Sequence, residues 1–496
     1  MISHLPFGIT PPAFIGKSKQ LFIGGAWVPA LSGKEFATVN PANGQVIAHL
    51  AQGEKADIDS AVSAARKAFQ GEWSRWKPND RQRLLLRIAD LVEKHFEELA
   101  LIETLDMGAP LTRTMGLKAW ATQVIHFYAS HTSACTVSTA PNSLPGQFNT
   151  FKIKAPVGVV GGIIPWNAPL ISQWWILGPT LATGCTAVLK PAEDASLTSL
   201  RMAELLQEAG MPPGVINVVT GYGHQAGQAL AEHPDVDRIA FTGSPETGRK
   251  IVQASSGNLK RVSLELGGKS PDLVFADANL DLAVPGALMG VFSNTGQICA
   301  AGTRVLVQRE IHEEFVERAK KFSQSLKIGD GLDPKTVLGP VVSGKQLDRV
   351  MHYVDAGNKD GATLAFGGRR LGGDLANGFF VEPTVFTGVN NEMTIAREEI
   401  FGPVASVIAF DDMEEALNIA NDTPYGLAGG IWTSSLTTAH KMAHGIQAGT
   451  IWINCYGQLD PNVGFGGYKL SGYGWKGGAE HVDSYLYQKA VYMNLV

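Results

Sequence analysis

Between Ala155 and Gly268, five short apolar runs are separated by four helix-like segments, and this rhythm constrains the fold more than any other feature of the chain. The runs are PVGVVGGIIP (156–165), TAVLKP (186–191), VINVVTG (215–221), RIAFTG (238–243) and RVSLELGG (261–268). The segments between them are Leu170 to Thr183, Leu197 to Ala209, Gln225 to His233 and Glu246 to Ser255. Strands apolar on both faces belong in a parallel sheet covered by helices, because an antiparallel sheet with one wet face would alternate instead. Such a sheet binds its ligands outside the carboxyl ends of its strands. The polar motifs of this stretch fall there, at Trp166-Asn167, Lys190, Gly243 and Glu265.

A second alternation runs from Asp272 to about Val463, through DLVF, a helix from Asp281 to Phe292, RVLVQ (304–308), a helix from Ile311 to Leu326, ASVIAF (405–410) and GTIWIN (449–454). It predicts a second α/β domain. From Phe36 to about Arg113 the pattern is mainly helical, with apolar residues at three-and-four spacing in Ile58 to Phe69 and Arg83 to Ile102. The tail from Tyr485 to Val496 alternates polar and apolar residues, as an edge strand does, and a partner subunit is expected to complete that edge.

Several function classes fall away on composition. The balance of 41 Lys and Arg against 46 Asp and Glu, a net charge of −5, comes without a dense basic block and excludes nucleic acid as an expected partner. Four cysteines, Cys135, Cys185, Cys299 and Cys455, stand far apart with no CxxC spacing, which fits a reducing, cytoplasmic setting. Pro6, Pro11 and Pro12 interrupt the N-terminal stretch, so no secretion signal is expected, and Ala155 to Trp166 is too short and too broken to span a bilayer. His440 and His444 have a possible zinc spacing, but Lys441 stands where the catalytic motif needs Glu, so no metal is expected.

The chemistry concentrates at three strand ends and one turn. Phe292 to Arg304 reads FSNTGQICAAGTR, a lone cysteine in a Gly-containing turn whose backbone N–H groups suit a thiolate. Glu265 leaves an apolar strand beside two glycines, either as a hydrogen-bonded hinge residue or as a general base whose pKa rises in low dielectric. Asn167, before a proline-bounded helix start, either caps its own turn or donates its amide to a developing oxyanion. FTGSPETG joins a strand, a Gly-Ser turn and a helix start, where backbone N–H groups and the Ser244 hydroxyl suit a pyrophosphate. In VLKPAED, Lys190 and Glu193 suit ribose hydroxyls.

Nine segments, PWNAPL, LKPAE, FTGSPETG, LELGGKSP, FSNTGQICAAGTR, EEIFGPV, PYGL, NCY and FGGYKLSG, occur in the order and at the spacing of the aldehyde dehydrogenase superfamily, which the chain resembles over nearly its whole length. The resemblance implies an α/β fold, with a Rossmann-type parallel-sheet cofactor domain, a second α/β catalytic domain and a small β oligomerisation arm. By it, residues 1–133 and 153–264 form the dinucleotide-binding domain, 265–470 the catalytic domain, and 134–152 with 471–496 the arm of a homodimer or homotetramer. It also implies that Cys299 is the nucleophile, Glu265 the general base and Asn167 an oxyanion donor. The dinucleotide is expected on Pro165, Trp166, Lys190, Glu193, Gly223, Phe241, Gly243, Ser244, Leu266, Glu399 and Phe401. The charge of Glu193 would repel a 2′-phosphate, so NAD is expected over NADP.

By the same resemblance Ala168, Trp174, Trp175, Ser293, Ile298, Ala300, Leu459 and Phe465 line a mostly apolar tunnel. No arginine stands among them to hold a second carboxylate, and Ala168 and Ser293 stand where relatives often carry bulky aromatics. The expected small-molecule substrate is therefore an aromatic or medium-to-long aliphatic aldehyde, oxidised to the acid through a Cys299 thiohemiacetal and thioester. Relatives that pass the acyl group to coenzyme A generally lack the glutamate, so its presence implies hydrolysis. Two departures stand out. Familiar members often carry a lysine at position 176 and Arg-Glu at 475 and 476, where this chain has Ile176, Trp475 and Lys476. The alternatives are a cofactor-independent cysteine esterase, which leaves the Ser244 turn without a purpose, and a non-catalytic homologue, in which Cys299 or Glu265 would usually be replaced.

Overall fold

The computed structural model describes residues 5–496. The five runs of the first alternation become the strands Val159–Ile163, Thr186–Lys190, Ile216–Val218, Arg238–Gly243 and Arg261–Leu266, all parallel to their neighbours. Antiparallel strands Leu21–Ile23 and Ala26–Val28 extend one edge of this eight-stranded sheet, and Gly472–Tyr473 closes the other. Strand Val159–Ile163 lies between Thr186–Lys190 and Arg238–Gly243, so the chain winds outward from it in both directions. The crevice that opens at such a reversal point lies at its carboxyl end, where Pro165, Trp166 and Asn167 follow.

Alternate residues of these strands feed two separate cores. Val160, Ala187 and Leu189 pack with the helices Pro78–Lys94, Trp174–Thr183 and Leu197–Glu208, whereas Val159, Val188 and Ile163 pack with Lys55–Gln70 and Pro245–Ala254. Burial on both faces is what the unbroken Val and Ile runs anticipate. The second alternation forms a seven-stranded sheet in the order Thr363–Phe366, Thr384–Thr387, Val404–Phe410, Arg304–Gln308, Pro271–Val274, Ala428–Trp432 and Thr450–Ile453, parallel except at its first strand. It too divides its side chains, with Leu273, Leu306 and Ile408 on one face and Val274, Val305 and Val407 on the other.

A third sheet of three strands, Val137–Thr139, Phe148–Pro156 and Leu486–Asn494, stands apart, and its exposed Val137, Tyr487, Tyr492 and Met493 are apolar surface at the end of the chain. The segment from 471 to 485, which the resemblance groups with this arm, lies against the first sheet and its core. Gly472–Tyr473 pairs with Arg261–Leu266, and Val482 and Tyr485 are buried in the first core. Among the described residues no helix is long and apolar enough to cross a membrane.

The expected single helix from Arg83 to Ile102 is two helices, Pro78–Lys94 and Phe96–Met107, separated at His95. The first buries one face; the second is buried all round, including Glu103 and Asp106. The chain must bend where the pattern changes from one apolar stripe to full burial. Both buried carboxylates then act as anchors. Glu103 accepts the Leu170 N–H at 2.6 Å, and Asp106 accepts the Leu197 N–H at 2.8 Å and the Thr38 hydroxyl at 2.7 Å. Leu170 lies three residues beyond Asn167 and Leu197 four beyond Glu193, so these two side chains fix segments that carry site residues.

Removing one anchor strands its donors in a dry interior. We expect Asp106→Ala to lower unfolding stability by about 2 kcal/mol or more, since each buried unsatisfied polar group costs about 1–3 kcal/mol. Urea unfolding measures it, and a loss below about 0.5 kcal/mol would contradict the anchoring role.

Candidate active site

Glu265 is the next-to-last residue of strand Arg261–Leu266, paired with Thr242 on one side and Gly472 on the other. Its side chain is 6% exposed and neither carboxylate oxygen has a partner among the described residues. Oε1 lies 3.3 Å from where a Cβ on Gly466 would stand, so Gly466 leaves room for it. Burial pushes the carboxyl up to about 8, against an opposing pull from the Lys476 ammonium. An unpartnered carboxyl in this setting is a proton acceptor near neutrality.

Cys299 follows the turn Ser293–Gly296, between the helix Leu280–Phe292 and the strand Arg304–Gln308. The turn is strained: Asn294, Thr295 and Gly296 hold φ of +54°, +56° and +74° in succession. A left-handed non-glycine residue costs about 1–2 kcal/mol, and the neighbours hold this one in place. Asn294 Nδ2 donates to the carbonyls of Asn167 at 3.0 Å and Gln297 at 3.2 Å, Thr295 Oγ1 donates to the Gly339 carbonyl at 2.9 Å, and Gln297 Oε1 accepts the Val342 N–H at 2.9 Å. Gly296 cannot be replaced here, because a Cβ would overlap the Gly402 backbone.

Asn167, from the end of strand Val159–Ile163, donates Nδ2 to the Gln297 carbonyl at 2.9 Å. The first sheet thus grips the cysteine turn of the second, and one N–H of the Asn167 amide is left over. Gly268 brings the two closer still: a Cβ there would stand 2.8 Å from the Cys299 carbonyl. The thiol is half-buried, and its surroundings push it up to about 11, through desolvation first and then the charges of Glu399 and Glu265, with Lys476 opposing them.

The residues singled out for a dinucleotide form three groups. Lys190, 2% exposed, pairs with Glu193 Oε2 at 2.9 Å, and the Gly223 N–H reaches Glu193 Oε1 at 3.5 Å. Ser244 accepts the Thr247 N–H at the start of helix Pro245–Ala254 and remains exposed with Gly243 behind it, while Phe241 and Leu266 are buried beneath. Trp166 meets Phe401 edge to face at 5.2 Å, beside Pro165, and Phe401 is held at φ +60° by Gln346 donating to its carbonyl at 2.8 Å. Glu399 accepts the Gly268 N–H at 3.3 Å, and burial pushes it up to about 7. A helix N-terminus, an ammonium–carboxylate pair and a second carboxylate around one crevice suit the phosphates and ribose hydroxyls of a dinucleotide.

The eight tunnel residues divide. Ala300 and Phe465 share a cluster with Leu427, Ala428 and Trp452, on which Ile298, Cys299 and Cys455 pack. Trp175 packs edge to face on Trp120 at 5.3 Å, and the Trp120 Nε1–H donates to the carbonyl of Leu459 at 3.2 Å. Ala168 and Ser293 flank the two sides of the Asn167–Gln297 contact, at the start of Pro169–Ser172 and of the strained turn. Trp174 is fully buried in the first core, with its Nε1–H unpartnered. His440 and His444 lie on the exposed face of Leu436–Gly445. The sequence pattern does not single out Asn294, Gln297, Glu103 or Asp106. Asn-Thr-Gly before the cysteine is the one signal that marked the left-handed turn.

Comparison with known proteins gives one family. Residues 27–491 match the aldehyde dehydrogenase family. An aldehyde dehydrogenase of Enchytraeus buchholzi is 45% identical over 96% of this chain and 95% of its own length, and a mitochondrial benzaldehyde dehydrogenase of Antirrhinum majus is 43% identical over 97% and 90%. The NAD+ complex of an aldehyde dehydrogenase from Bacillus cereus superposes with a TM-score of 0.94 at 44% identity, covering 97% of each chain.

The environment of the thiol has a direct consequence. An ordinary cysteine of pKa about 8.5 approaches its full alkylation rate by about pH 9.5. We expect iodoacetamide alkylation of Cys299, followed by the mass of its peptide, to keep climbing beyond pH 10. A plateau at or below pH 8.5 would contradict the desolvation described above.

Proposed function

The chain belongs to the aldehyde dehydrogenase family, and from that premise we propose that it oxidises an aromatic or medium-to-long aliphatic aldehyde to the carboxylic acid, with NAD as acceptor and water as the nucleophile that releases the product. The observation that carries this reading is the buried Glu265 carboxyl, without a hydrogen-bond partner, across from the turn that presents Cys299.

The Cys299 thiol gives up its proton to solvent, its Sγ forms a bond to the aldehyde carbon, and the carbonyl oxygen takes up the negative charge as the C=O π bond opens. The free N–H of Asn167 and the Cys299 backbone N–H face that charge, donors fixed beforehand by the clasp on Gln297. Lys190, Glu193, Glu399, Ser244 and the Trp166–Phe401 pair hold the dinucleotide. When bound, its nicotinamide supplies the acceptor for the hydride that leaves the substrate carbon. The acyl group then remains on Sγ as a thioester. Glu265 takes a proton from water, whose oxygen attacks the acyl carbon and expels the Cys299 thiolate with the acid.

Glu193 favours NAD, since a carboxylate at the ribose repels a 2′-phosphate. The apolar surroundings of Ala300 and Phe465, and the benzaldehyde dehydrogenase among the relatives, support the substrate class. Four unpaired cysteines support a cytoplasmic setting. The exposed apolar strand Leu486–Asn494 supports assembly through a partner copy.

Absorbance at 340 nm with NAD and a panel of aldehydes tests the reading. The wild type reduces NAD and Cys299→Ser does not. Glu265→Gln gives at most one turnover per subunit, then stalls at the thioester. Because the base must be ionised and its carboxyl is pushed up to about 8, steady-state kcat rises with pH through that value. A higher kcat/KM for succinic semialdehyde than for benzaldehyde or octanal would overturn the substrate class.

A further inference from the structure

Of the two positions that depart from the familiar family pattern, one, Lys476, lies beside the site. Ile176, at the other such position, is 4% exposed in the first core, where its Cδ1 and Cγ2 lie 2.8 Å from where a Cβ on Gly162 would be. Lys476 is half-buried, and its backbone is locked to Phe465 by two hydrogen bonds, 2.8 Å from the Phe465 N–H and 2.7 Å to the Phe465 carbonyl. Phe465 belongs to the cluster on which Cys299 packs, and the next residue, Gly466, is the one that leaves room for Glu265 Oε1. The Lys476 ammonium forms no ion pair among the described residues, unlike Lys190 and Lys154.

The groups that face this ammonium are few. Glu265 and Cys299 both feel its charge, and so does His481. His481 is buried and neutral, because its Nδ1 accepts the Gly477 N–H at 3.1 Å and is 2.8 Å from the Tyr128 hydroxyl. Glu399 acts on Cys299 from the far side with the opposite sign. Among the groups whose charge reaches both Glu265 and Cys299, Lys476 is therefore the cation.

We propose that Lys476 is a positioning residue for the reaction, the positive charge that its backbone bridge to Phe465 holds beside both the Glu265 carboxyl and the Cys299 thiol. This rests on the roles given above to Glu265 and Cys299. A cation next to an acid favours the ionised form, so its removal must raise both pKa values together. An opposite charge at about 4–6 Å moves a pKa by about 1–3, and a half-exposed lysine belongs at or below the bottom of that range, at about 0.5–1.

The test compares wild type with Lys476→Met, Lys476→Arg and Lys476→Glu by two readouts from pH 6 to 11: iodoacetamide alkylation of Cys299 without NAD or aldehyde, and kcat for NAD reduction with benzaldehyde. The methionine variant is expected to alkylate about three- to tenfold more slowly at pH 8, the ratio that follows from a thiol pKa higher by about 0.5–1. Its kcat profile should move to higher pH by the same amount. Arginine should restore both profiles, and glutamate should move both further than methionine does. Profiles that superimpose on wild type, or a loss of rate at every pH with unchanged midpoints, would overturn the proposal. If Lys476→Met does not fold, by its thermal melt, Lys476→Gln takes its place with the same expectation. A wild type that neither alkylates at Cys299 nor reduces NAD would instead refute the roles of Cys299 and Glu265 themselves.

Discussion

A carboxyl group held out of water without a hydrogen-bond partner is the constraint around which this molecule is arranged. Ionised and unpaired, Glu265 would cost several kcal/mol in such a place, so the group stays protonated until the pH approaches its raised pKa. The fold supplies the stability that permits this. Glu265 is carried by a parallel strand paired on both sides, and the residues before it are packed between helix layers whose side chains interdigitate on both faces of the sheet. A loop could not hold a carboxyl there, because it would relax toward water or toward a backbone donor. The same environment acts on Cys299, so the acid and the thiol are tuned by one shared lack of solvent.

The second constraint is the joint between the two large sheets. Asn167 comes from the crevice of the first and Asn294 and Gln297 from the turn before Cys299 in the second, and side-chain amides link them in both directions. The turn itself is held in a conformation that L-residues resist, so the contacts from Asn294, Thr295 and Gln297 oppose local strain as well as linking the sheets. Strain opposed by hydrogen bonds to two separate segments, at Asn167 and at Gly339 to Val342, holds the turn before the cysteine in place. Gly268 and Gly296 are small for the same reason: each faces backbone of the neighbouring segment.

Much of this was legible in the amino-acid sequence because the relevant signals are local. Val159–Ile163 and Thr186–Lys190 read as doubly buried parallel strands from their composition alone, and the polar residues at their carboxyl ends marked the crevice. The ordered motifs pointed to the family as a whole. What could not be read is what depends on contacts distant in sequence. Glu103 and Asp106 look like ordinary surface carboxylates on a helix, and only the tertiary fold reveals them as acceptors for the Leu170 and Leu197 N–H groups. The break at His95 follows from a second helix buried on all sides, which three-and-four periodicity reports as a continuation. Residues 471–485 go with the arm only by the resemblance, and Gly472 pairs with Glu265 itself. That pairing places Lys476 beside the site, and no pattern within the segment announces it.

In the proposed reaction one sulfur forms a covalent bond to the substrate carbon, and Glu265 is needed to break it. Acid quenching of Glu265→Gln after incubation with NAD and benzaldehyde, followed by mass spectrometry of the cysteine peptides, tests that claim directly. The expected product is a benzoyl group on Cys299, one per subunit, and none when NAD is omitted. A benzoyl group on Cys455, or unmodified Cys299 in a protein that has formed NADH, would contradict it.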